Sequence, residues 1–126
     1  MGEPSERILV VDDEENVLIL FKRVLAKEGY QVECAASAYE ALEKLQDDSF
    51  DLVLTDLKMD GMDGLDLVKK WKTVNPALPF IMVTAYGTIQ AAMNAGKEGV
   101  ENFLVKPIDI EELKVAVKKA LKKIAA

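Results

Sequence analysis

Short apolar runs alternate along the chain with segments whose apolar residues recur at helical spacing. Arg7–Val11 (RILVV) is apolar on both faces, which predicts a buried strand. From Glu14 to about Glu28, Val17, Leu18, Phe21, Val24 and Leu25 mark one helical face, and Gly29 stands where a glycine ends a helix. Gln31–Ala35 reads as a second, weaker strand. Ala38, Ala41, Leu42 and Leu45 mark a short second helix, and Asp51–Thr55 (DLVLT) a third strand. A loop with Gly61 follows, then Asp63 as the N-cap of a helix carried by Leu65, Val68 and Trp71 and broken at Asn75-Pro76. Pro79–Thr84 (PFIMVT) is a fourth strand. Ile89, Ala92 and Met93 are expected to line a fourth helix that Gly96 or Gly99 ends. Glu101–Val105 is a fifth strand, and Ile110, Leu113, Val117, Leu121 and Ile124 form the stripe of a last helix.

Five strands and five helices in strict alternation predict an α/β domain, a parallel sheet covered on both faces with right-handed crossovers. The expected strand order is 2-1-3-4-5, the flavodoxin-like doubly wound (βα)5 arrangement, with its site at the carboxyl ends of the strands. Asp12-Asp13 ends strand one, Asp56 strand three, Thr84 strand four and Lys106 strand five. Each has an ordinary reading alone: helix-start carboxylates, a turn threonine, a solvated lysine. With strands one and three adjacent, Asp12, Asp13 and Asp56 converge, and such a set repels itself unless a cation sits among it. The chain has no histidine, so the donors are all oxygen, which selects a hard cation, Mg2+ first. A carboxylate beside such a cation can attack phosphorus and become an acyl phosphate, with the Thr84 hydroxyl and the Lys106 ammonium as donors to the new oxygens.

Composition narrows this little. With 126 residues, half of them apolar, the chain fits one domain, and 16 Lys+Arg against 22 Asp+Glu leave a net charge of −6, which argues against general nucleic-acid binding. Cys34 is the single cysteine and reads as a small core residue of a protein from a reducing cytosol. No apolar run reaches membrane-spanning length, and the opening MGEPSER lacks a signal-peptide core and, at Glu6, the residue that myristoylation after Gly2 wants. Lys114, Lys118, Lys119, Lys122 and Lys123 read as a solvated helix face, Trp71 as packing, and Met59 and Met62 as core filling or partner surface.

VVDDEENV, LTDLKMDGMDGL, FIMVTAYGT and ENFLVKPID, in this order and spacing, resemble the receiver domains of bacterial two-component response regulators over nearly the whole chain. AYGT and AGKEGVENFLVKPID look most like the receivers of σ54-dependent transcription activators. The resemblance implies one receiver domain over residues 1–126, ordered from about 7 to 124, with no effector domain in the chain, either stand-alone or excised. It implies Asp56 as phosphoryl acceptor, Asp13 as direct Mg2+ ligand, Asp12 assisting through water, and the Lys58 carbonyl as a further ligand, with Mn2+ as a substitute metal. Thr84 and Phe103 are the implied switch residues, Lys106 pairs with the phosphoryl group, and the Lys106–Pro107 peptide is expected to be cis. The phosphoryl donor would be a phosphohistidine on a sensor kinase or phosphotransfer protein docking near helix one. Phosphorylation would reshape the face of helix four, strand five and helix five, and a phosphorylation-dependent homodimer is one expected consequence. The implied protein is a cytoplasmic signalling module rather than a turnover enzyme, and it contacts neither nucleic acid nor membrane.

Asp60 stands where many receivers have proline, which is expected to loosen the loop after the acceptor. Phe103, more often tyrosine, is expected to favour an inward position. Lys58 and Tyr86 occupy positions that tune self-dephosphorylation, and their bulk is expected to lengthen the life of the acyl phosphate. Three rivals fit less well. An aspartyl phosphatase of the haloacid-dehalogenase type wants D-x-D after strand one, where this chain has adjacent Asp12-Asp13. A flavodoxin needs a Ser/Thr-rich loop where DDEEN stands. A pure interaction module would not need the complete set of acids, Thr84 and Lys106.

Overall fold

The computed structural model describes residues 5–125, with side chains through residue 122. The readings made for Met1–Pro4 and for the side chains of Lys123 and Ile124 lie outside the described part. The order is β1 (Arg7–Val11), α1 (Glu15–Lys27), β2 (Gln31–Ala35), α2 (Ala38–Asp47), β3 (Leu52–Thr55), α3 (Gly64–Val74), β4 (Phe80–Thr84), α4 (Ile89–Lys97), β5 (Asn102–Val105) and α5 (Ile110–Ala125). The strands form one parallel sheet, as the alternation predicted, in the flavodoxin-like order β2-β1-β3-β4-β5 that was expected.

Both sheet faces are covered, so the strands are apolar on both sides. Successive residues of β1 show the two-residue period directly. Ile8 and Val10 join one core with Phe21 and Leu25 of α1 and Leu113 and Val117 of α5. Leu9 and Val11 join the other with Ala41 and Leu45 of α2 and Leu67, Val68 and Trp71 of α3. Among the described residues four helices carry side-chain caps: Ser37 accepts from Glu40 N–H, Thr88 from Ala91 N–H, Asp63 forms a capping box with Asp66, and Asp109 accepts from the Glu111 and Glu112 N–H groups at the start of α5. Of the two glycines that could end α4, Gly99 is the terminator: its φ is +89°, a region that costs a side chain energy.

At the amino-terminal edge of the sheet, Arg7 ties several segments together. Its guanidinium pairs with Glu33 of β2 and Asp48, donates to the Ser49 carbonyl, and lies over the Phe50 ring. No helix among the described residues is long and apolar enough to cross a membrane.

One element differs from the sequence pattern. Ile89 and Met93, expected to line α4 inwardly, are 81% and 54% exposed, and the buried residue of that helix is Ala95. The helix docks through its small side: Ala91 packs partly on the core, and Ala95 allows close approach to the sheet.

Candidate functional site

The register of the central strands builds the site. Val11 pairs with Thr55, and the Asp56 N–H donates to the Val11 carbonyl at 2.9 Å, so Asp12 and Asp56 leave the sheet side by side. The Asp12 N–H bonds the Ala35 carbonyl at 3.1 Å, which extends the β1–β2 ladder to the same rim. On the other side of β3, Thr84 pairs with Val105, and the Lys106 N–H bonds the Thr84 carbonyl at 2.8 Å. The Lys106–Pro107 peptide that follows is cis.

Lys106 reaches across the strand ends. Its Nζ lies 2.8 Å from Asp12 Oδ2, 3.3 Å from Asp56 Oδ2 and 3.5 Å from Glu14 Oε1. Asp12 is 2% exposed, and its other oxygen accepts from the Glu14 N–H at 2.9 Å. Burial raises the Asp12 carboxyl above the usual range; the bonds from Lys106 and the Glu14 N–H work against that, and the charge of Asp56 adds to it. For Lys106, burial alone would lower the ammonium, but the bond and charge of Asp12, then those of Asp56, raise it overall.

One ammonium does not satisfy this set. Carboxylate oxygens of Asp12, Asp13 and Asp56 lie within 4.8 Å of one another. Asp56 Oδ1 is buried and, among the described residues, has no hydrogen-bond partner. A buried carboxylate oxygen without a donor is costly. A cation among these three residues would remove that cost, and an all-oxygen donor set fits a hard divalent ion. The site opens as a depression of about 510 Å3 lined by Asp13, Glu14, Asp56, Lys58, Met59, Asp60, Ala85, Tyr86 and Lys106.

The structure thus brings Asp12, Asp13, Asp56 and Lys106 together. Thr84 sits at the end of β4, fully buried, its hydroxyl oxygen accepting from the Tyr86 N–H at 3.1 Å, and it does not line the depression. Lys58 extends over the Tyr86 ring, 5.7 Å from its centroid, so these two side chains meet at the rim. Phe103 lies on β5, half-buried and packed against the core cluster shared with α2 and α3. Two features were missed in the sequence. Glu14 joins the Lys106 cluster, although its place in DDEEN reads as an ordinary helix-start carboxylate. Gly64 lies so close to the Asp56 carbonyl that a Cβ there would stand 2.0 Å from the oxygen; nothing in the sequence signals that approach.

The comparisons agree with this architecture. The chain is 40% identical over 114 residues to the transcriptional regulatory protein ZraR of Escherichia coli (strain K12), a match covering 90% of this chain and 26% of that protein. It is 39% identical over 117 residues to the sporulation initiation phosphotransferase F of Bacillus subtilis (strain 168), covering 93% of this chain and 94% of that one. The chain therefore spans about a quarter of the length of the transcriptional regulators it matches (26%), and nearly all of the phosphotransferase (94%). The structure of the response regulator protein TrrA from Thermotoga maritima in complex with Mg2+-BeF superposes with a TM-score of 0.85 at 35% identity, over 92% of this chain and 99% of that one. The family model for the response regulator receiver domain matches residues 8–118, and with these relatives it establishes that the chain belongs to the receiver-domain family of response regulators.

Proposed function

We propose that this receiver takes a phosphoryl group onto Asp56 from a phosphohistidine of a sensor kinase or phosphotransfer protein. The observation that carries the reading is Asp56 Oδ1, a buried carboxylate oxygen without a hydrogen-bond partner among the described residues, beside Lys106 in an open depression. An Asp56 oxygen attacks phosphorus, the new P–O bond forms as the P–N bond breaks, and the electron pair leaves with the imidazole. Asp12, Asp13, Asp56 and the Lys58 carbonyl would hold Mg2+, with Mn2+ as a substitute, and the ion when bound supplies charge neutralisation to the transferring group. Lys106 exchanges its bond to Asp56 for one to the phosphoryl oxygens while staying anchored on Asp12. The Thr84 hydroxyl gives up the Tyr86 N–H to donate to the same oxygens. Phe103 then turns into the space so vacated, and the face of α4, β5 and α5 changes shape. Exposed Ile89, Met93, Val105 and Val115 provide that face with apolar surface for an output partner or for a second copy of the receiver.

Lys58 over the Tyr86 ring shields the acyl phosphate from water and lengthens its life. The chain works in the cytoplasm as a signalling module, and apart from its own phosphorylation and dephosphorylation it turns over no metabolite. The test is intact-mass measurement after incubation with Mg2+ and acetyl phosphate, beside an Asp56→Ala variant. One added phosphoryl group on the wild type alone is expected. Equal modification of the variant would move the acceptor elsewhere.

A further inference from the structure

The loop between Asp56 and α3 is hydrogen-bonded at its ends and held only by packing in its middle. The Gly64 N–H bonds the Leu57 carbonyl at 2.8 Å, and the Asp63–Asp66 capping box closes the far end. Between them, residues 58–62 form no hydrogen bond among the described residues. Neither Asp60 nor Gly61 carries a ring to fix its backbone, and Gly61 has φ +79°. Yet Lys58, Met59 and Asp60 line the depression over Asp56, so the order of this stretch shapes the site.

Besides Lys58 reaching over the Tyr86 ring, packing contacts hold it. Met59 and Met62 pack against the core cluster. Tyr39, in the first turn of α2, lies against Gly61: its Cε2, Oη and Cζ stand 3.0, 3.2 and 3.5 Å from where a Cβ at that position would be. Tyr39 is 57% exposed, so the ring adds little to the core. Its position is explained by the loop it covers, since a glycine there leaves room for the ring edge.

We propose that Tyr39 is a positioning residue for the metal site, holding the 58–61 stretch so that the Lys58 carbonyl is presented to the cation bound by Asp12, Asp13 and Asp56. The inference rests on the reading of the site given above. Partners that orient a ligand without touching the metal commonly change metal affinity by about 10- to 100-fold. A single packing contact belongs at the lower end.

The experiment is Mg2+ titration by calorimetry of unphosphorylated wild type, Tyr39→Ala and Tyr39→Phe, with thermal unfolding in EDTA alongside. Tyr39→Ala is expected to bind Mg2+ about ten-fold more weakly, with an unchanged melting temperature in EDTA. Tyr39→Phe keeps the ring and is expected to match the wild type. At saturating Mg2+, the rate of phosphorylation by acetyl phosphate in Tyr39→Ala is expected to return to the wild-type value. Equal Mg2+ affinity in wild type and Tyr39→Ala would overturn the inference alone, as would a Phe variant as weak as the Ala variant. A wild type that binds no Mg2+ would overturn the reading of the site and the inference with it.

Discussion

Replacing Lys106 by methionine should destabilise the protein strongly without metal and weakly with it. In the present arrangement Lys106 Nζ is 2.8 Å from Asp12 Oδ2 and 3.3 Å from Asp56 Oδ2, and those side chains are 2% and 8% exposed. Removing one partner of a buried ion pair leaves an uncompensated charge and typically costs about 3–5 kcal/mol. The Lys106 side chain is itself 16% exposed, so some water already reaches the pair, and about 3 kcal/mol is the expected loss in EDTA. That is a large part of the ~5–15 kcal/mol typical of a domain. A divalent cation among the same carboxylates supplies the missing charge and no longer meets repulsion from the ammonium. Binding at 100 times Kd adds about 2.7 kcal/mol to the wild type, and the variant should gain more. Urea unfolding followed by Trp71 fluorescence measures this, since Trp71 is the single tryptophan and is 9% exposed. The gap between variant and wild type should shrink to about 1 kcal/mol at saturating Mg2+, the residue of lost stem packing. An equal gap with and without Mg2+ would refute the claim that the cation and Lys106 neutralise the same carboxylates.

Two further outcomes are expected. Ile89→Ser with Met93→Ser should change the unfolding free energy measured in urea by no more than about 0.5 kcal/mol, as exposed positions do; a loss near that of a core truncation would show that these side chains pack inward. Cys34 is half-buried and burial raises its thiol pKa, so less thiolate exists at a given pH than for a free cysteine. Its reaction with a disulfide reagent should therefore be slow at neutral pH and climb through a midpoint above the ordinary thiol value; a midpoint below that value would contradict the assigned burial.

Much of this architecture was legible because strands and site use strong local signals. RILVV, DLVLT and PFIMVT are short runs apolar on both faces and bounded by turn residues, which fits strands of a sheet covered on both sides. Once their order was set, Asp12, Asp13, Asp56 and Lys106 fell together because Asp12, Asp56 and Lys106 each directly follow a strand and Asp13 comes one residue later. The orientation of α4 was not legible. Ile89, Ala92 and Met93 have helical spacing, and apolarity ranks isoleucine and methionine above alanine for burial, yet the close approach to the sheet selects Ala95. That choice depends on the depth of the groove, a tertiary quantity. The Tyr39–Gly61 contact was hidden for a related reason: it joins a helix face to a loop 22 residues further on (61 − 39), and neither residue alone has an unusual setting. Glu14 was ambiguous because a carboxylate in the first turn suits any helix.

The alanine footing of α4 bears on the energy that signalling requires. α5 is rooted by Leu113, Val117 and Leu121, whose burial contributes roughly 1.5–3 kcal/mol each. α4 is rooted by Ala95, with Ala91 packed partly on the core, and each such methyl group contributes under about 1 kcal/mol. The carboxyl-terminal half is therefore expected to open locally at α4 before α5. Amide hydrogens of α4 should exchange with solvent well before those of β4 or α5, through openings that leave the rest of the sheet intact. Detaching α4 should therefore cost less than detaching α5, and the exposed side chains of Ile89 and Met93 stand outside any core, so their surface is accessible without a core opening.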